Sequence, residues 1–345
     1  MMDEAVFTRS GDGSRIELTR DQIRGEIEDG TRTAAARAKV PVLSTDELDH
    51  LLDICTSRGR FTGVEIGDEV VLTYDGTGGQ LIGSRLDDLR TFEQYIGADS
   101  VELYHMDYSF KAVRTVLPSE QQGLRNAQCL LTVPLQYGAM PDLGRYSRPD
   151  GPVANWSELL PQGQIEAARE SQAQAVELAV RDMVAVADGV WEAGADGIDL
   201  DTAGAAGDAD FLAALRAVRE IRERHPDMGI ELGMANEFVL GMHGELEWGG
   251  VRLAGLWPRE QMKLAAQAGA TIFGPAVNVN TSRSLPWNLA RALTLVKPCV
   301  EAATIPVHMN VGMGVGGVPM AVRPPADAVS RVARACVEVL RIDGL

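Results

Sequence analysis

The sequence predicts an α/β protein: a (β/α)8 barrel of the TIM type, incomplete at its C-terminal side, with an N-terminal extension. Two observations point there. From about Gly97, short β-rich runs alternate with helical patterns, and the runs are nearly all apolar. Strands buried on both faces of a parallel sheet, with helices covering it, read that way. Each run also ends in polar residues, and β/α barrels build their active sites at the carboxyl ends of the strands. An open doubly wound sheet tolerates six strands, but the strand-end chemistry favours the barrel. The length of 345 residues allows either two ordinary domains or one barrel.

The extension covers residues 1–80. Thr19 to Glu28 reads as a short helix with Thr19 as N-cap. A second helix opens at Ser44-Thr45-Asp46-Glu47 and runs to about Thr56, with Ser44 and Glu47 spaced as a capping box. Phe61 to Tyr74 alternates, is β-rich and breaks at Gly67-Asp68, which predicts a hairpin.

Residues 81–345 form the barrel part. The expected strands are Val101–Met106, Leu130–Leu135, Gly197–Leu200, Gly229–Met234, Thr271–Ala276 and Ile305–Val311. Between them, Val176, Val180, Met183, Val184, Ala187, Val190 and Trp191 recur at helical spacing. Phe211, Leu215 and Val218 mark a helix opened by Asp208, and Trp287–Ala303 and Ala326–Leu340 are two more. Gly97-Ala98-Asp99, Gly194-Ala195-Asp196 and Gly269-Ala270-Thr271 each precede a strand, with glycine as the left-handed cap of the helix before it. Asp343-Gly344-Leu345 echoes Asp196-Gly197-Ile198, so a seventh strand is expected to begin there, and the barrel is expected to be cut before strands 7 and 8.

Composition narrows the function. Thirty-two Lys plus Arg against 49 Asp plus Glu give a net charge of −17. Such a surface repels phosphate backbones and anionic lipid, so neither nucleic acid nor membrane is an expected partner. No apolar run approaches the roughly 18–20 residues of a membrane helix, and the acidic start Met1-Met2-Asp3-Glu4 is unlike a secretory signal. The expectation is a cytoplasmic protein, with room for a homo-oligomer. The four cysteines, Cys55, Cys129, Cys299 and Cys336, form no C-x-x-C pair and read as small buried hydrophobes.

The strand ends carry the chemistry. In order they are His105 and Asp107, Gln136 and Tyr137, Asp199 with Asp201 and Thr202, Glu231 with Asn236 and Glu237, Asn278 and Asn280, then His308 and Asn310. Carboxylates held together raise one another's pKa and favour a cation. A competing reading has Asp201 and Glu237 capping the helices that follow. His105 and His308 invite a metal reading, a complete metal-assisted barrel lyase or aldolase, but no H-E-x-x-H or facial triad is present. Gly312 to Gly317 contains a G-x-G-x-x-G, yet Val318-Pro319 and Pro324-Pro325 follow instead of a helix. A flexible loop over the pocket fits that composition better than a nucleotide site.

Seven blocks stand out: His105-Met-Asp-Tyr-Ser-Phe-Lys-Ala-Val113, Val133-Pro-Leu-Gln-Tyr-Gly-Ala-Met-Pro141, Ala193 to Asp208, Gly255-Leu-Trp-Pro258, Phe273 to Ser282, Trp287-Asn-Leu-Ala-Arg291 and Gly312 to Met320. Together they resemble the dimethylamine:corrinoid methyltransferases of methylotrophic methanogens. The likeness runs from about Gly11 to Leu345, and the dimethylamine branch fits better than the mono- or trimethylamine branches. It implies a (β/α)8 barrel with a pyrrolysine, encoded by an in-frame amber codon, in the barrel mouth. The imine of that residue captures the amine and presents a methyl group to Co(I) of a cognate corrinoid protein. The corrinoid (cobalamin) cofactor therefore belongs to the partner, and no cofactor or metal is expected to be bound permanently here. In the family pattern the pyrrolysine follows directly after the phrase matching Val339 to Leu345. The expectation is an amber-truncated portion that is inactive and unstable alone, since two missing strands expose sheet edges. Asn310 stands where the family pattern calls for an acid. By position, Glu231, Asp199 and Asp201 are the expected catalytic acids, with Asn278, Asn280 and His308 orienting the amine.

Overall fold

The computed structural model describes residues 5–57, 72–75, 115–116, 118, 121–122, 125, 135–241, 244–321 and 324–345. Elements are numbered among these. An antiparallel hairpin, β1 (Val6–Arg9) with β2 (Arg15–Leu18), precedes α1 (Arg20–Ala38) and α2 (Thr45–Cys55). Thr19 caps α1, with Gln22 returning the bond, and Ser44 caps α2 with Glu47 in the same reciprocal way. Helix α1 runs well past the expected end at Glu28. Its second half, Asp29 to Ala38, has little apolar periodicity because it is built from small residues; Gly30, Thr31, Ala34 and Ala35 are buried there.

The centre is a parallel sheet of five strands: β3 (Leu72–Asp75), β4 (Leu135–Ala139), β5 (Gly197–Ala203), β6 (Gly229–Met234) and β9 (Ile272–Gly274), neighbours in that order. Spatial order follows chain order without the reversal that defines a doubly wound sheet. The hairpin expected over Phe61 to Tyr74 lies mostly outside the described residues. Its last residues belong to β3, which pairs in parallel with β4, so the sheet begins within the segment assigned to the extension. The strand expected at Val101–Met106 is outside the described residues.

Of the strand expected at Leu130–Leu135 only Leu135 is described; it opens β4, which runs on to Ala139, so Gln136 and Tyr137 lie inside a strand and Met140 follows it. Strand β9 stops at Gly274 because Pro275 has no N–H to offer. The expected strand Ile305–Val311 contributes only parallel bridges, Phe273 with Val307 and His308 with Gly344. The Val307 N–H donates to the Asp343 carboxylate (2.9 Å) instead of to a neighbouring backbone. Asp343-Gly344 thus extends the pairing one position further, as its echo of Asp196-Gly197 suggests.

Helices cover the sheet: α3 (Ile165–Glu192), α4 (Asp208–Arg224), α5 (Pro258–Ala268), α6 (Leu285–Ala302) and α7 (Ala326–Ala335), with a π-helical turn from Cys336 to Leu340. Gly194 and Gly269 take φ of 91° and 115° where the chain turns from α3 and α5 into strands. A small hairpin, β7 (Glu247–Trp248) with β8 (Val251–Arg252), lies between β6 and α5. Among the described residues no helix is long and apolar enough to cross a membrane.

Candidate active site at the strand ends

Asp199 and Asp201 are two residues apart on β5, so both point to one face of the sheet. Glu231 on β6 stands in register with Asp199. Two residues beyond it, Gly233 is in register with Gly274 of β9. These glycines leave the room that the acids occupy. A Cβ on Gly233 would lie 2.8 Å from Asp201 Oδ1 and 3.6 Å from Asp199 Oδ1. A Cβ on Gly274 would lie 3.0 Å from the Gly233 Cα, 3.4 Å from Glu231 Oε1 and 3.4 Å from the His308 carbonyl oxygen. Asp199, Asp201 and Glu231 are all buried. His308 sits beside them on the next chain segment, its ring against the Gly344 backbone.

Beyond this face, at the carboxyl ends of the strands, opens a cavity of about 580 Å³. Met140, Thr202, Met234, Asn278, Asn310 and Met313 line it. Thr202, next to last in β5, has φ of 56°, a left-handed conformation rare for a β-branched residue. Its N–H donates to Asp201 Oδ1 (2.6 Å), which holds both the turn and the carboxylate. Backbone outliers of this kind persist where the surrounding structure over-determines them, often at functional sites.

The rim has its own network. Arg291 of α6 forms a buried ion pair with Glu237 through Nη2 and Oε1, and donates through Nη1 to the Asn278 carbonyl. Glu237 Oε2 accepts the Asn278 N–H (3.2 Å), and Asn278 Nδ2 donates to Asn236 Oδ1 (2.7 Å). Glu237 is therefore held by Arg291 rather than serving as a helix cap, and Asp201 holds the Thr202 turn rather than the N-terminus of α4. Asn310 reaches the cavity wall, with its N–H donating to the Pro275 carbonyl (3.3 Å). Asn280 does not join the group: it is exposed, and its Oδ1 accepts from the Ser282 N–H and hydroxyl. The backbone of Tyr137 is in register with Ile198 of β5. His105 and Asp107 lie outside the described residues.

Gly312 to Gly317 does lie over the cavity, but it is bonded in place. Val279 N–H donates to the Gly314 carbonyl (2.8 Å) and Gly316 N–H to the Val277 carbonyl (2.9 Å). No helix follows until α7, so the strand–turn–helix context of a dinucleotide fingerprint is missing.

Two residues escaped the sequence reading. Arg291 is one; its signal is a lone cation on the buried stretch Leu285 to Val296. Asp210 is the other, fully buried in the first turn of α4, where burial pushes its carboxyl up to about 7 and the charge of Asp142 adds to this. The N–H groups of Ala206, Gly204 and Ala205 oppose that rise, so Asp210 fastens the loop whose Ala205 and Ala206 line the cavity. Cys55, Cys299 and Cys336 are buried, and burial pushes each thiol up to about 12, which suits packing rather than thiolate chemistry. Cys129 lies outside the described residues. Among the described residues no group of three or more His, Cys, Asp or Glu is arranged to hold a metal ion.

Among solved structures the chain matches a member of the enolase superfamily from Polaromonas sp. JS666, with 11% identity and a TM-score of 0.32. That match covers 86% of this chain, which spans 62% of the other's length. A family model described as dimethylamine methyltransferase matches residues 4–345. The protein with this buried acidic face and methionine-lined mouth belongs to the dimethylamine methyltransferase family.

Proposed function

We propose that the chain is the substrate-binding part of a cytoplasmic dimethylamine methyltransferase, built as a TIM-type barrel, that delivers a methyl group to a separate cognate corrinoid protein. The observation that carries this is the set of buried carboxylates Asp199, Asp201 and Glu231 on a face vacated by Gly233 and Gly274, below an open cavity. Dimethylammonium is a cation, and a cluster of buried acids favours it and takes its proton. The chain-order pairing of the parallel strands and the further bridges at Val307 and Gly344 support the barrel.

In this reading Glu231 removes the ammonium proton, and Asp199 and Asp201 stabilise the positive charge until it leaves. Asn236, Asn278, Asn310 and His308 orient the amine, and the sequence offers His105, Asp107 and Tyr137 as further substrate-binding residues. Asn280, tied into its own turn, has no part. The resemblance supplies the rest: a pyrrolysine directly after Leu345 contributes the imine that holds the amine, and the partner's corrinoid accepts the methyl group.

The test is Glu231→Gln in the chain extended through the amber position, assayed with dimethylamine and the corrinoid protein. General-base catalysis is worth about 10²–10⁴-fold, so methyl transfer should fall by at least about a hundredfold. Unchanged turnover across pH removes Glu231 as the base. An ochre or opal codon after Leu345, or no continuing frame, overturns the pyrrolysine assignment.

A further inference from the structure

The proposal that follows rests on the methyltransferase reading for its kinetic arm alone. Helix α6 lies outside the sheet, yet one of its side chains reaches the mouth. Arg291 is 9% exposed and its partner Glu237 5%. Between them they close a ring on the backbone of one residue, Asn278. Arg291 Nη2 donates to Glu237 Oε1, Glu237 Oε2 accepts the Asn278 N–H, and the Asn278 carbonyl accepts from Arg291 Nη1. Both hydrogen-bonding groups of Asn278 are thereby fixed, and its side chain is tied across to Asn236 and the Ala235 carbonyl.

Asn278 is also where the glycine-rich loop attaches. Asn278 forms an antiparallel bridge with Val315, and the flanking bonds run from Val279 to Gly314 and from Gly316 to Val277. The loop carries Met313 and Val315 onto the cavity wall. Gly314, Gly316 and Gly317 have φ of 86°, 70° and 101°, so the loop shape depends on backbone that other residues rarely adopt. A segment with so little side-chain packing of its own takes its position from what it is bonded to.

We infer that Arg291 is a positioning residue: through Glu237 and the Asn278 backbone it sets where the 312–317 loop and the Asn278 amide stand over the substrate cavity. A buried pair broken on one side leaves the other charge uncompensated. Loss of Arg291 therefore releases Glu237 and the Asn278 backbone together. Lysine keeps the charge but lacks the planar fork that serves two acceptors at once.

The test compares Arg291→Met, Arg291→Lys and Glu237→Gln by peptide-level hydrogen exchange of this chain. In Arg291→Met, segments 277–279 and 312–317 should exchange about tenfold faster while α3 and α4 stay as protected as before. Arg291→Lys should recover the thermal midpoint more than the loop protection. If Arg291→Met does not fold, the Lys and Gln variants carry the same comparison. Unchanged exchange in these segments, or equal acceleration in every helix, overturns the proposal. In the extended enzyme, KM for dimethylamine should rise about tenfold with kcat changed less, because the clamp shapes the wall and not the acids beneath it. A loop response in a protein whose unmutated form never transfers methyl groups would refute the methyltransferase reading and leave the clamp standing.

Discussion

Helix α6 takes part in two regions that use polar groups for different ends. Along one stripe, Trp287, Ala290 and Thr294 face α1. There Gly30 allows an approach so close that a Cβ on it would lie 2.5 Å from the Trp287 carbonyl. The polar contacts join one helix to the other: Ser284 to Glu26 (2.7 Å), Trp287 Nε1 to Asp29 (2.9 Å), and the Thr31 and Thr294 hydroxyls 2.8 Å apart. Asp29, bonded first by Arg32 and then by Trp287, sits below the usual carboxylate range. Along the adjacent stripe, Asn288 and Arg291 face the segment after β9 and bond to its backbone at Asn280 and Asn278. The first region locks two regular elements against each other. The second gives shape to loops that have none without it. Asp29 and Glu26 join one helix to the other, whereas Asp199, Asp201 and Glu231 lie buried beside Gly233 and Gly274.

The sharpest way to break this distinction is to add the same methyl group in both regions. At the mouth, Gly233→Ala drives a Cβ against Asp201 and Asp199. In the proposed enzyme extended past Leu345, methyl transfer per folded molecule should fall about a hundredfold, equivalent to about 2.7 kcal/mol. Activity that merely tracks the folded fraction would show that the glycine serves packing alone. Gly30→Ala is the counterpart. Overpacking against the Trp287 carbonyl costs about 1–3 kcal/mol, partly offset by about 1 kcal/mol of helix propensity. The net loss should be about 1 kcal/mol by denaturant unfolding, with activity of the folded fraction retained. A stable Gly30→Ala variant would mean that the two helices can slide apart.

Asp210 tests the mouth by pH. Its carboxyl is raised from 3.8 to about 7 by burial. Between those values the native chain holds a proton that the unfolded chain has lost, so stability falls as pH rises through that window. Asp210→Asn removes the effect. It should be more stable than the parent at pH 8 and gain nothing below the ordinary carboxylate value, read from urea midpoints. A gain that is the same at both pH values would point to packing rather than to the charge. The smallest effect belongs outside both regions. Glu177 and Arg216 pair on the surface between α3 and α4 (2.6 Å). Arg216→Ala should cost no more than about 0.5 kcal/mol, and a loss matching Gly30→Ala would mean that the helix layer is more tightly coupled than its exposure suggests.

Much of the architecture was legible because its signals are local. The capping boxes at Thr19 and Ser44 need only three residues of spacing. The glycine caps before β5 and β9 and the apolar runs of β5 and β6 are likewise written within ten residues. Readings failed where a neighbour decides. Helix α1 continues through Asp29 to Ala38 because α6 buries its small residues, and small residues carry little periodicity. The run Ile305 to Val311 has strand composition but takes only two bridges, since Pro306 lacks a donor and Asp343 captures the Val307 N–H. At the site, the acids of β5 and β6 were visible as strand-end residues. Asn280 carried the same signal and went to a turn, because the Ser282 N–H lies within reach of its side chain.

By itself, the sequence determined the kinds of element, their order and the acidic character of the strand ends, because periodicity, capping and turn chemistry act over a few neighbouring residues. Only the tertiary structure decided that Gly233 and Gly274 open the space in which Asp199, Asp201 and Glu231 meet, and that Arg291 reaches Glu237 from 54 positions away along the chain. Strand register and helix docking set those encounters. A shift of one residue in register would turn every acid to the other face, while leaving each local signal as it was.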